Sequence, residues 1–203
     1  IRGEESAGDY RICRTPEELA ALASRLREGR GFSLEPLLSS PEAMSASLVG
    51  LAVSPALGEG FYIPIAHEDG MPRLPAGTVL TLLSPFLADP AIPKHGQDLK
   101  TALIVLSQCS IPLRGLGCDT MVASYLLNPA KHSFELADTV LDHLGRRTPS
   151  VKELVGSGAK AVPFASISVE KAADYAGRRA DAVMSLAADL SGKIAAAGMR
   201  ELL

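Results

Sequence analysis

The residues that could do chemistry in this chain form a few short constellations, and most of them fail on spacing. Gly156-Ser157-Gly158-Ala159-Lys160 has glycines and a lysine like a phosphate-cradling loop. It lacks the Gly-Lys-Ser/Thr ending that places a lysine and a magnesium-binding hydroxyl, and no strand clearly precedes it, so it reads as a flexible loop. The four histidines, His67, His95, His132 and His143, show no metal-ligand spacing. No Gly-x-Ser-x-Gly elbow offers a serine nucleophile. Cys118, between Gly117 and Asp119, has nothing nearby to lower its pKa and reads as buried packing. The remaining stretch is Lys94–Ala102, Lys-His-Gly-Gln-Asp-Leu-Lys-Thr-Ala. Gly96 supplies a turn there, and Asp98 is the N-cap expected for a helix running to about Gln108. A strand–turn–helix of this kind aims its first helical turn into a cleft at the strand's end. Yet the residue one turn in is Ala102, which carries no reactive group.

The elements that must hold these residues are constrained by composition. At 203 residues and 47% hydrophobic content, one domain with a substantial core is expected. Aromatics are only 4% and Trp is absent, so that core rests on Leu, Ala, Val and Ile. A net charge of -3 gives no global basic field, and any nucleic-acid contact would need a local patch. Cys13, Cys109 and Cys118 are odd in number and far apart, which suits buried free thiols in a reducing cytoplasm. No apolar run reaches the length of a membrane span and no signal peptide opens the chain. Because the first residue is Ile1 rather than Met, the sequence is expected to be a piece of a longer protein or a trimmed chain.

In chain order, residues 1–8 read as a linker or tail and residues 9–203 as one domain. Tyr10–Cys13 is a short strand. Thr15-Pro16-Glu17-Glu18 starts a helix, with Thr at the N-cap, Pro at N1 and Glu18 completing a capping box, and Gly29 ends it. Gly31–Glu35 is a strand whose continuation Pro36 should limit. Leu48–Ser54 and Gly60–Ile65 form a hairpin, giving three sequential antiparallel strands. Pro75–Leu87 is a helix closed by Asp89-Pro90, and strands then alternate with helices. Further helices are expected from Asp119 to Leu127 and over Phe134–Leu144. Pro149–Phe164 reads as loop with a short helix. Ser168–Ala197 is the longest helical pattern, with Ser168 as cap. This order means a mixed sheet with helices packed on it.

Several stretches fall in the order and spacing of a known family. They are Phe32-Ser33-Leu34-Glu35, Ser47–Leu51 with Tyr62–His67, Lys94–Lys100, and Tyr175-Ala176-Gly177-Arg178-Arg179-Ala180-Asp181. Asp119-Thr120-Met121, Ser124–Asn128 and Lys152–Gly158 add to the set. Together they resemble the 3′–5′ proofreading exonuclease domain of bacterial family A DNA polymerases (DNA polymerase I), over about Tyr10 to Leu203. The resemblance implies an α/β fold, a ribonuclease H-like mixed β-sheet flanked by α-helices. It also implies hydrolysis of a terminal phosphodiester with two Mg²⁺ or Mn²⁺ ions, which need several carboxylates converging on one point.

Those carboxylates are mostly missing. The family's first strand carries Asp-x-Glu; here the positions are Ser33 and Glu35. The Asp two residues after the family's lysine is Ala102. The family's Tyr-x-x-x-Asp keeps Tyr175 but has Arg179 in place of Asp. Asp181, about 200° further round the helix, is expected to face away. Four expected carboxylates become one, and Arg179 adds a cation. A unit charge about 5 Å from a divalent ion costs roughly 6–7 kcal/mol even at an effective dielectric of 20. Neither a resident metal nor any other cofactor is therefore expected. The favoured reading is a catalytically inactive exonuclease-like domain serving as a platform for the polymerase domain of the same parent chain, in a cytoplasmic monomer. On this reading the apolar face of the Ser168–Ala197 helix helps dock that neighbour. The alternatives are a weakly active nuclease using Glu35 with Asp98 or Asp181, and a single-strand-binding module with Gln97, Lys100, Tyr175 and Arg178 on DNA and Arg179 meeting a phosphate. The bland reading of Glu35, Arg178 and Arg179 is solvated charge, and of Tyr175, packing.

Overall fold

The computed structural model describes residues 8–202. The lead-in expected over residues 1–8 falls, except for Gly8, outside the described residues. Six strands among these residues form one sheet: β1 (Asp9–Ile12), β2 (Phe32–Leu38), β3 (Leu48–Ser54), β4 (Glu59–Pro64), β5 (Lys94–Gly96) and β6 (Leu116–Asp119). Their spatial order is β1-β4-β3-β2-β5-β6. The antiparallel ladder β2-β3-β4 matches the three sequential strands expected. β1 lies parallel to β4, and β5 is parallel to both β2 and β6, so the sheet is mixed.

Among the described residues seven α-helices cover it: α1 (Pro16–Glu28), α2 (Ala76–Ala88), α3 (Leu99–Gln108), α4 (Thr120–Leu127), α5 (Leu136–Leu144), α6 (Val151–Val155) and α7 (Val169–Ala196). α1 begins with the expected capping box between Thr15 and Glu18, and Gly29 caps its end. The central strands alternate between two apolar layers, as the two-residue period of a strand dictates. Phe32, Leu34, Leu51, Val53, Phe61 and Ile63 join α1, α2 and α3 in one cluster. Leu37, Ala52 and Tyr62 join α7 in a second. The C-terminal half of α7 packs with Ala123 of α4 and with Leu136 and Val140 of α5.

The close seat of α7 on the sheet depends on two glycines. A Cβ at Gly60 would lie 2.9 Å from the Gly177 Cα, and one at Gly177 would lie 3.2 Å from the Tyr10 ring. Without side chains at that crossing, the helix can lie directly across β4 and β1.

Several expectations are corrected. Pro36 does not end its strand, which continues to Leu38. The ladder with β5 stops at Leu34, so from Pro36 onward β2 has only β3 beside it and a missing N–H there need not break a bond. β6 went unforeseen, because Leu116-Gly117-Cys118-Asp119 is too short to show alternation. Pro75 caps α2 instead of lying within it, and Phe134 precedes α5. Ser168 occupies the N-cap of α7 without a side-chain hydrogen bond. The apolar face of α7 is spent inside the fold: Ala172, Ala176, Ala180, Val183, Leu186, Leu190 and Ile194 are all buried. That face is not available to dock a neighbour.

Candidate functional site

β2 sends Ser33 and Glu35 to the α7 side of the sheet, since residues two apart share a face. α7 meets them with Tyr175 and Arg179, four residues apart and hence stacked on one helical stripe. The Arg179 Nε donates to Glu35 Oε1 at 2.6 Å. Both residues are 8% exposed, so this is a buried ion pair and not the solvated charge of the bland reading. The Arg179 Nη1 also reaches the Pro149 carbonyl at 3.4 Å, and its guanidinium lies 5.2 Å from the Tyr175 ring centroid. Burial, the largest single influence, works against the guanidinium's charge, but Glu35 together with Tyr175 and Glu135 outweighs it and raises the Arg179 pKa.

Ser33 is fully buried, and its Oγ donates to the Ala180 carbonyl at 2.5 Å. The hydroxyl that stands at an expected carboxylate position is thus tied to the backbone of α7. Ala102 is buried too, but in the cluster that contains Phe32, Leu34 and Leu99. The structure therefore gathers Ser33, Glu35, Tyr175 and Arg179 and leaves Ala102 in the apolar layer of α3. Asp181 is turned away from Glu35, as its helical angle predicted, yet it is buried, accepting from the Gly58 N–H at 2.7 Å and the Tyr10 hydroxyl at 3.2 Å. Among the described residues no three of His, Cys, Asp and Glu converge to hold a metal. One ion-paired carboxylate, a hydroxyl already donating, and a guanidinium do not fit two divalent cations.

Beside the pair opens a cavity of about 380 Å³. Its walls are chiefly apolar, with Leu37, Val151, Val155, Val162 and Phe164 among them and Glu35 and Arg179 at its edge. Tyr175 leans on Phe164 at 6.1 Å between centroids, and burial pushes its phenol pKa up.

The residues expected to touch DNA are scattered and mostly engaged. Gln97 donates from Nε2 to the Phe134 carbonyl at 2.7 Å and accepts at Oε1 from the Thr120 hydroxyl at 2.5 Å. Arg178 pairs with Asp174 at 2.8 Å and lies over the Tyr10 ring. Lys100 is exposed at the start of α3. Cys118 is buried and its thiol is pushed up to about 11, which suits packing over nucleophilic chemistry.

A family model described as DNA polymerase I, ribonuclease H-like domain, matches residues 76–186. The chain belongs to this family. The matched stretch includes Ala102, Tyr175 and Arg179 and begins after Ser33 and Glu35. DNA polymerase I of Chloroflexus aurantiacus is 35% identical over 175 residues, covering 86% of this chain and 18% of the relative. DNA polymerase I of Pseudomonas aeruginosa is 33% identical over 182 residues, covering 88% of this chain and 20% of the relative. The chain thus spans about a fifth of the length of these relatives. Among solved structures, the POL domain of Pol1 from M. smegmatis in complex with DNA primer-template and dNTP superposes with a TM-score of 0.72 at 28% identity, over 95% of this chain and 29% of that one. Escherichia coli RNase D, an exoribonuclease, gives 0.69 at 18% identity over 94% of this chain and 46% of that one, a likeness of fold alone. The DNA polymerase I exonuclease fold expected from the motifs is therefore the fold observed.

Two features of the site escaped sequence reasoning. Asp119 is an acceptor for four backbone N–H groups: those of Asp98 and Leu99 before and within α3, and of Met121 and Val122 in α4. Only its local cap on α4 was signalled, by Asp-Thr-Met at the helix start. The Glu35–Arg179 pairing had a readable sign. Arg179 lies on the apolar stripe of α7 between Tyr175 and Val183, and an arginine there needs a buried anion.

Proposed function

We propose that this chain is a catalytically silent 3′–5′ exonuclease-like domain of a bacterial DNA polymerase I, acting in the cytoplasm during replication and repair. It serves as a folded platform for the polymerase region of the same polypeptide. The observation that carries this reading is the buried Arg179–Glu35 pair. An internal guanidinium neutralises the single remaining carboxylate at the position where the family's chemistry needs anions for two metal ions. Family membership and the relatives' much greater length support the platform role.

Calorimetric titration with Mn²⁺, run beside incubation of a labelled single-stranded primer with the metal, tests the proposal. Neither stoichiometric uptake nor loss of 3′ nucleotides is expected. Uptake of two ions, or trimming that Glu35→Ala abolishes, would replace it with the weakly active nuclease. The strand-binding alternative rests chiefly on Lys100, since Gln97, Tyr175 and Arg178 are engaged within the fold. Salt-sensitive binding of single-stranded DNA that Arg178→Ala weakens would favour it.

A further inference from the structure

We propose that the outer face of α2, with the groove between α2 and α3, is the surface on which the polymerase region of the parent polypeptide docks. The inference rests on the platform reading above and gives it a location. In a chain that is 21% charged, α2 contains no charged residue, and neither does the run 101–113 through α3 and beyond. α2 buries Val79, Leu83, Phe86 and Leu87 inward and turns Gly77, Thr78, Thr81, Leu82 and Pro85 outward. Two hollows of about 400 and 350 Å³ lie along this face, and Leu80 and Cys109 line both. Met44, 78% exposed, stands beside them, its carbonyl accepting from the Gln108 side chain at 3.0 Å. Pro85 lies inside the helix, so the Thr81 carbonyl lacks its i+4 donor.

Depletion of charge with apolar and small polar residues marks the core of an interface rather than ordinary solvated surface. The occupant is argued from the length of polypeptide that accompanies this fold. The chain makes up 18% and 20% of two DNA polymerase I relatives and 29% of the M. smegmatis polymerase chain on which it superposes. A region tethered to the domain is held at an effective millimolar concentration, so a face of this size suffices without charge steering.

The test uses the parent polypeptide carrying Thr81→Cys or Thr78→Cys on this face, with Glu17→Cys on exposed α1 as the reference. Maleimide labelling is followed at each site by peptide mapping, and primer extension is measured on the same preparation. Both α2 cysteines should label at least tenfold more slowly than the reference, at nanomolar protein. Labelling of either at the reference rate overturns the docking surface. Protection that disappears on dilution also overturns it, in favour of contact between two copies. A parent that extends primers while the α2 sites stay open sinks only the docking, whereas one that extends no primer removes the platform reading and this inference together.

Discussion

At the scale of single residues, the Glu35–Arg179 pair sets both what the site has lost and what the fold now depends on. Removing one member of a buried pair leaves an uncompensated charge, worth about 3–5 kcal/mol. Arg179→Met should lower stability in urea by that amount, while Glu35→Gln with Arg179→Met should cost clearly less than the single change. A single variant within 1 kcal/mol of the parent sequence would show that the pair is not the buried contact described. Restoring metal is a separate matter. Ser33→Asp with Arg179→Asp puts three carboxylates, with Glu35, on the α7 side of β2, and Mn²⁺ uptake by calorimetry is the expected outcome. Ala102→Asp should not help, because Ala102 is buried within the apolar cluster that also contains Phe32, Leu34 and Leu99. It should instead unfold the domain at lower urea, and metal binding improved by Ala102→Asp would contradict that placement. The identity of these positions was legible in the sequence through the motif register. Their contacts were less so: the place of Arg179 on the apolar stripe called for a buried anion, but the Ser33 bond to the Ala180 carbonyl and the choice of Glu35 span about 145 residues of chain.

At the scale of elements, Asp119 clamps two helix starts with one carboxylate. Each lost N-cap costs about 0.5–2 kcal/mol, and Asp119→Ala removes acceptors from α3 and α4 together. Amide exchange at Leu99 and at Val122 should accelerate in parallel in that variant. Acceleration at Val122 alone would mean that the link to α3 carries no weight. Elements set by neighbours in sequence were readable: the Thr15 capping box, the Asp98 cap on α3 and the β3–β4 hairpin all stand as local chemistry dictates. Elements set by distant neighbours were not. β6 exists because β5 offers an edge, and β2 passes through Pro36 because β3 alone borders it there.

At the scale of the whole molecule, three histidines couple stability to pH. Burial lowers the pKa of His67, His95 and His143 below the ordinary value. His67 is held by the Tyr62 hydroxyl at 2.6 Å and the Ile167 carbonyl at 2.9 Å, and His95 Nδ1 accepts the Cys118 N–H at 2.9 Å. The His95 contact needs an unprotonated Nδ1, and at His67 it is burial that disfavours the charged ring. A base whose folded pKa is depressed contributes stability that is complete above the unfolded value, about 6.5, and is lost as pH falls below it. The melting temperature should therefore drop between pH 7.5 and 5.5, and less steeply in His67→Gln. A flat profile over that range would contradict the neutral-ring arrangement. No described helix is long and apolar enough to cross a membrane. The passage of α7 over β4 and β1 has a further consequence for manufacture. Within this domain α7 follows the whole sheet in synthesis, and its Arg179 leaves the ribosome 144 residues after Glu35. At about 5–20 residues per second it trails by roughly 7–29 s. Until then the nascent strands hold an unpaired acid and a bare apolar face, so a stalled ribosome would present a chaperone client instead of a finished domain.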